Sequence, residues 1–279
     1  MADSGLSLRS SDSPSNSASS SSSLSTTPSP PPPIGSDSAP DYNHPPDAAS
    51  YPGMQRSLAG VALRSFCLGS ALVASVVAVS TLAYLGSPLW RLPFFSGALA
   101  LFHFLEFWTT ARYNTPAASV DSFLLTANWP AYAIAHAAAF VECFVRLTLF
   151  KHVLPASLPL SLVVGSLVVL VGQSVRSAAM IEAGRSFNHT IQRQKADTHA
   201  LVTSGIYAHL RHPSYFGFFW WAIGTQLVLG NMVCLLGYTA VLWRFFSARI
   251  RHEEKLLVRF FGSDYIKYRE RVGTKIPFI

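Results

Sequence analysis

The chain has 279 residues, enough for one sizeable domain and a tail; half of them are hydrophobic and only 13% are charged, against about 25% in ordinary soluble domains. That balance argues against a soluble globular protein and for an integral membrane protein, the more so because the first fifty residues are polar. The net charge of +7 does not point to nucleic acid, since eight of the 21 Lys and Arg follow residue 248, where they flank a membrane span.

Residues 1–55 are rich in Ser and Pro, with four consecutive prolines at 30–33. Such a composition buries too little apolar surface to offset chain entropy, so a disordered tail is expected there, followed by a membrane domain over 56–279. No charged-then-apolar leader opens the chain and no lipidation cysteine stands near its end, so neither a cleavable signal peptide nor a C-terminal lipid anchor is expected. Apolar runs predict an all-α, polytopic membrane helix bundle of about six spans, near 65–85, 90–109, 128–150, 157–179, 214–229 and 232–248. Gly86-Ser87-Pro88 makes a tight connection, 110–127 a polar loop, Lys151 to Pro155 a short turn, and Gly230-Asn231 the break in the last hairpin. The two arms of that hairpin are short, so it crosses tilted or at less than full depth. Cys67, Cys143 and Cys234 all lie in apolar runs, an odd set that reads as small buried hydrophobes rather than a disulfide framework.

Six crossings put both termini on one side. Arg56, Arg64, Arg112, Arg185, Arg193, Lys195, Arg211 and the basic residues after 248 lie on that side, whereas the opposite loops hold Arg91 and Lys151. The Lys/Arg bias therefore predicts that the tail, the 180–212 loop and the C-terminal helical region face the cytosol.

Ionisable groups inside spans are costly and need partners. His103 and Glu106 share a helix face, Glu142 and Arg146 are spaced to pair, and Gln173 and Arg176 make a further polar patch. Each reads as interhelical pairing that fixes packing, as snorkelling near the interface, or as the polar wall of a substrate cavity opening between helices.

The chain is organised around Gln192–Glu254, where two polar clusters are joined by a membrane-type hairpin that returns the second to the side of the first. His212-Pro213 fits a helix start, with Pro213 where its missing N–H does no harm, and the free N–H groups there favour an anionic group. Arg249 and Glu253 share one face of a helix leaving the last span: either an ordinary surface ion pair, or an Arg fork for a carboxylate beside an acid that accepts from ribose hydroxyls or an ammonium. Glu254 is expected on the solvated flank. His209 and His212 lack the further ligands of a metal site, so no metal is expected, and the absence of G-x-G-x-x-G means that a nucleotide-like cofactor needs a non-Rossmann site.

THALVTSGIYAHLRHPSYFGFF, GTQLVLGN and ARIRHEEKLLVRFFGSDYIKYRERVGTKIPFI together resemble the protein-S-isoprenylcysteine O-methyltransferases, specifically over about residues 180–279. The resemblance implies a multi-span endoplasmic reticulum enzyme that uses S-adenosylmethionine to methylate the C-terminal carboxylate of a prenylated cysteine after CaaX proteolysis. By motif it implies a cofactor-binding set of Gln192, His199, Ala200, Leu201, Val202, Tyr207, His212, Pro213, Ser214, Tyr215 and Glu253, with Arg249 near the substrate carboxylate. Arg251-His252 departs from relatives that are acidic there, without removing a motif residue.

Three other readings share part of the pattern. Phospholipid N-methyltransferases share the cofactor and the paired-Glu ending, sterol reductases have a similar R-H-P-x-Y stretch, and a non-enzymatic membrane scaffold keeping the fold would have lost the motif residues that are present here.

Overall fold

The computed structural model describes residues 47–127, 129–149, 159–195 and 199–279. Among them regular structure is helical: α1 (Leu58–Tyr84), α2 (Arg91–Tyr113), α3 (Ala131–Thr148), α4 (Pro159–Ala183), α5 (Pro213–Leu229), α6 (Val233–Phe261) and α7 (Ser263–Arg271), with short 3-10 turns between several of them. The helices α1, α2, α3, α4 and α6 are long and apolar enough to cross a membrane. With 17 residues α5 is about 25 Å long, somewhat short of a full crossing.

The all-α bundle is as expected; several boundaries are not. Ser57 accepts from the N–H of Gly60 and starts α1 earlier than the apolar run alone suggested. The second arm of the last hairpin is not short: α6 runs unbroken for 29 residues to Gly262, because the Arg, Glu, Lys and Leu after residue 248 are good helix formers. Pro213 stands at the first position of α5 and Gly230 ends it at φ +72. The turn expected at Lys151–Pro155 and most of the Ser/Pro tail lie outside the described residues, while residues 47–55 carry a 3-10 turn at Ala48–Ser50 and a backbone bond from Val120 N–H to the Gln55 carbonyl.

Helices α4 and α5 approach until backbones touch. A Cβ on Gly172 would lie 2.5 Å from the Trp221 nitrogen, and one on Gly217 would lie 2.6 Å from the Gly172 oxygen. Small residues permit this contact, which holds the start of α5 against α4 where side-chain packing alone would keep them apart. Around it lie three apolar clusters: Phe95, Ala139, Cys143, Leu147 and Leu229; Phe102, Val169, Trp221 and Ala222; and Phe219, Ile223, Phe246, Ile250 and Ile276. Leu63, Phe66, Val73 and Val77 of α1 and Val163, Leu167 and Leu170 of α4 point outward, the arrangement of a lipid-facing surface.

Most of the polar groups in the spans are fasteners between elements of the bundle. Glu106 of α2 takes the guanidinium of Arg176 of α4 through Nε and, at 2.7 Å, Nη2. His103 Nδ1 donates to the Phe123 carbonyl at 2.7 Å, and its Nε2 faces the Tyr132 hydroxyl at 3.2 Å. Glu142 and Arg146 do not pair. Glu142 instead accepts from the N–H groups of Met232, Val233 and Cys234 at 2.7–2.8 Å, where α6 leaves its first N–H groups without intrahelical partners, and Arg146 donates to the Leu229 carbonyl at the end of α5. Their spacing allowed a pair, but two helix ends of opposite dipole stand closer to their needs. Gln173 turns to Ser177 rather than to Arg176. All three cysteines are free.

Candidate functional site

Where α5 begins, α6 emerges from its apolar portion and α7 folds back, a cavity opens. Its wall includes Ser186–Asn188 and His199–Val202 from the loop after α4, Tyr207, the His212–Tyr215 start of α5, Glu253, Leu257 and Phe261 of α6, and Tyr265 and Tyr268 of α7. Every residue of the expected cofactor set except Gln192 lies on it. Gln192 lines an adjoining hollow that shares Ser186, Asn188, His199, Glu253 and Leu257 with the first, and its amide bonds to Thr190.

Tyr215 is the hinge of the site. Its ring stacks between His212, at 5.5 Å between centroids, and Phe246 of α6 at 5.2 Å. Its hydroxyl donates to Glu253 Oε2 at 2.5 Å and accepts from Arg249 Nε at 2.8 Å. Arg249 is further held by the His189 carbonyl at 2.5 Å and lies over the Tyr215 ring at 5.4 Å. Its Nη1 makes no hydrogen bond among the described residues. The i,i+4 pair expected between Arg249 and Glu253 is thus not a surface salt bridge: a phenol stands between them. Arg249 does not line the cavity itself but sits behind Tyr215.

Glu254 is not on a solvated flank. It is 13% exposed and accepts from Arg211 Nε at 2.8 Å and His212 Nε2 at 3.2 Å, with Arg269 at 3.9 Å. The two consecutive acids therefore divide the work: Glu253 faces the cavity, while Glu254 ties α6 to the loop before α5 and to α7. Tyr268 adds to this by donating to the Tyr207 carbonyl at 2.6 Å.

Behind the site lies a buried relay whose members read, in the sequence, only as separate patches. Arg176, held by Glu106, donates through Nη1 to Ser214 Oγ at 2.9 Å and to the Ser214 carbonyl at 3.1 Å, fixing the first turn of α5. His189 Nδ1 lies 3.6 Å from Glu106 Oε2, which brings the loop whose carbonyl holds Arg249 up to the same carboxylate. Burial pulls the His189 imidazole down to about 4, outweighing the carboxylate beside it, while Arg176 and Arg249 add to the lowering, so it is neutral at physiological pH. Burial likewise lowers His199 and raises the Tyr207 phenol, so both are neutral at physiological pH. Asn188, Leu257, Phe261 and Tyr265 were not anticipated as wall residues. The i,i+4 register Glu253–Leu257–Phe261 on a continuous α6 was the signal available for two of them.

A sequence model of the "Isoprenylcysteine carboxyl methyltransferase (ICMT) family" matches residues 163–259. The chain is 43% identical over 238 residues to the protein-S-isoprenylcysteine O-methyltransferase of Saccharomyces cerevisiae, covering 84% of this chain and 97% of that one. It is 46% identical over 182 residues to the Homo sapiens protein of the same name, covering 65% of this chain and 63% of the human one. A solved structure described as the eukaryotic intramembrane Ras methyltransferase ICMT superposes with a TM-score of 0.73 at 37% identity, over 79% of this chain and 77% of that one.

Proposed function

The chain belongs to the isoprenylcysteine carboxyl methyltransferase family, and on that premise we propose that it methylates the C-terminal carboxylate of a prenylated cysteine on CaaX-processed proteins, with S-adenosylmethionine as the donor. The observation that carries this reading is the Arg249–Tyr215–Glu253 arrangement, which sets a cation for a carboxylate against an acid on a cavity wall at one membrane face. The donor supplies an activated methyl on a sulfonium. The cavity suits it: a carboxylate for hydroxyl or ammonium groups and aromatic faces from Tyr207 and Phe261; the anion-binding N–H groups expected at the start of α5 are largely spent, since Pro213 has none and those of Tyr215 and Phe216 donate to the His212 carbonyl.

A carboxylate needs no general base, since it is ionised at neutral pH. The protein's part is alignment and water exclusion. Arg249 holds one carboxylate oxygen through the donors it does not spend on Tyr215 and His189, and leaves the other free to attack. Tyr215 fixes how far that cation stands from Glu253 and so from the donor. Methyl transfer converts a carboxylate and a sulfonium into a neutral ester and thioether, so a dry site favours it. The prenyl chain enters laterally from the bilayer, and burying it contributes little because it is already in lipid.

Transfer of labelled methyl from S-adenosylmethionine to N-acetyl-S-farnesylcysteine tests the reading; no ester formed by folded, membrane-inserted protein would overturn it. The family resemblance supports an endoplasmic reticulum location, and the Lys/Arg bias supports both termini facing the cytosol. Glycosylation tags in 86–92 and 151–156 are then modified and one after residue 279 is not.

A further inference from the structure

After α7 the chain turns back along α6. The Arg211 N–H donates to the Gly273 carbonyl at 3.0 Å and Arg211 Nη1 to the Val272 carbonyl at 2.7 Å, which sets the start of the segment at the level of Glu254. Four residues on, the Pro277 carbonyl accepts from Trp243 Nε1 at 2.9 Å. Trp243 precedes Glu254 by eleven residues on α6, roughly 16 Å at 1.5 Å per residue, and between Val233 and Phe246 only Arg244 is charged. The segment Gly273–Ile279 therefore runs into the apolar depth of the bundle.

Non-helical backbone at that depth needs partners within the protein, and Thr274 supplies some of them. Thr274 Oγ1 donates to the Ile279 carbonyl at 2.5 Å and accepts from the Ile276 N–H at 3.4 Å, and the Ile279 N–H donates to the Ile276 carbonyl at 3.1 Å. Pro277 has no N–H to satisfy. The path holds Lys275 at φ +54 and Phe278 at φ +60, left-handed conformations uncommon outside glycine. Ile276 is 2% exposed, clustered with Phe219 and Ile223 of α5 and Phe246 and Ile250 of α6. Phe278, by contrast, is 96% exposed. Of the residues that Ile276 joins, Phe246 stacks on Tyr215 and Ile250 adjoins Arg249 in sequence.

We propose that Gly273–Ile279 is a re-entrant wedge: it enters the membrane face that carries Arg249 with Phe278 toward lipid, and Ile276 sets the spacing of α5 and α6 that keeps Tyr215 and Arg249 in register. Ile276 is a positioning residue, acting on the site only through Phe246 and Ile250. The positioning half rests on the methyltransferase reading; the membrane-insertion half does not.

Each half has its own measurement on the full chain in phosphatidylcholine vesicles. In Phe278→Trp, the fluorescence in excess of wild type is quenched by phosphatidylcholine brominated on its acyl chains and not by aqueous iodide; quenching by iodide alone overturns the insertion. Ile276→Ala lowers maximal methyl transfer to N-acetyl-S-farnesylcysteine five- to tenfold with S-adenosylmethionine affinity within twofold of wild type, and Ile276→Leu restores the rate. Equal maximal rates for Ile276→Ala and wild type, or a loss that tracks donor affinity instead, overturn the positioning role. If Ile276→Ala fails to fold, Thr274→Val, which frees the Ile276 N–H and the Ile279 carbonyl, takes its place: a lower maximal rate at unchanged donor affinity supports the positioning role, and a wild-type rate overturns it. A wild-type protein that transfers no methyl group to any prenylcysteine would fail the functional reading while leaving the quenching result standing.

Discussion

Arg249 and Glu253 stand one turn apart on α6, yet they meet through a third residue: the Tyr215 hydroxyl, from α5, accepts from Arg249 at 2.8 Å and donates to Glu253 at 2.5 Å. A direct pair would neutralise the cation against the acid. The phenol lets each keep part of its hydrogen-bonding capacity for a ligand while locking their separation.

Tyr215→Phe tests this without removing the ring that packs between His212 and Phe246. Hydrogen bonds to charged groups contribute about 1.5–3 kcal/mol, so methyl transfer should fall by roughly ten- to a hundredfold, and a melting curve on the same variant reads any accompanying loss of stability. Rates within twofold of wild type would show that the bridge is only packing.

The paired acids give a contrasting prediction. Glu253→Gln weakens S-adenosylmethionine binding with the fold intact, since the hydrogen bond its carboxylate accepts among the described residues comes from Tyr215. Glu254→Gln acts on stability instead, because it strips the charge that Arg211 and His212 share in a half-buried setting; a loss of about 1–3 kcal/mol is expected. Titration of donor binding and a melting curve on both variants separate the roles. Similar melting temperatures for Glu254→Gln and wild type would refute the clamp.

How much of this was readable from the sequence depended on whether the partner was local. The helix start at His212-Pro213, the stop at Gly230 and the inward face of Glu253 follow from rules within one or two turns. Glu254 is one residue from Glu253 and about 100° around the helix, so it reads as a flank; only Arg211 and α7, brought in by the fold, bury it. Glu142 and Arg146 failed in the opposite sense, since a favourable local spacing lost to two helix ends reached only through the tertiary packing of α3. The Glu106–Arg176 pair spans 70 residues, and nothing in the spacing of either could join them.

The pH dependence follows from His189. Its folded pKa is about 4, below the unfolded value of 6.5, so between these the unfolded chain binds more protons and stability falls as the pH drops from 6.5 toward 4. The contribution is complete above 6.5 and its slope approaches about 1.4 kcal/mol per pH unit at most. His189→Gln, which cannot titrate, should flatten the fall in melting temperature between pH 6.5 and 5 relative to wild type. Parallel curves for the two proteins would mean that His189 is charged when folded.

The last prediction concerns Arg249 itself. Its guanidinium is fixed by Tyr215 and by the His189 carbonyl, and Nη1 makes no hydrogen bond among the described residues, so it remains to donate to one oxygen of a carboxylate. Arg249→Ala should abolish methyl transfer while donor binding persists, because Glu253 and the cavity wall stay in place. Arg249→Lys should recover little: an ammonium lacks both the fork and the Nε–H that grips Tyr215. An amide analogue of the prenylcysteine should bind wild type more weakly than the carboxylate does, yet bind Arg249→Ala about as well as the carboxylate binds it, which isolates the charge-assisted contact from packing. The His189 carbonyl would lose its donor in either variant, so a melting curve accompanies each rate. A well-folded Arg249→Ala protein that methylates farnesylcysteine at the wild-type rate would leave Arg249 as nothing more than a strut between the loop and Tyr215.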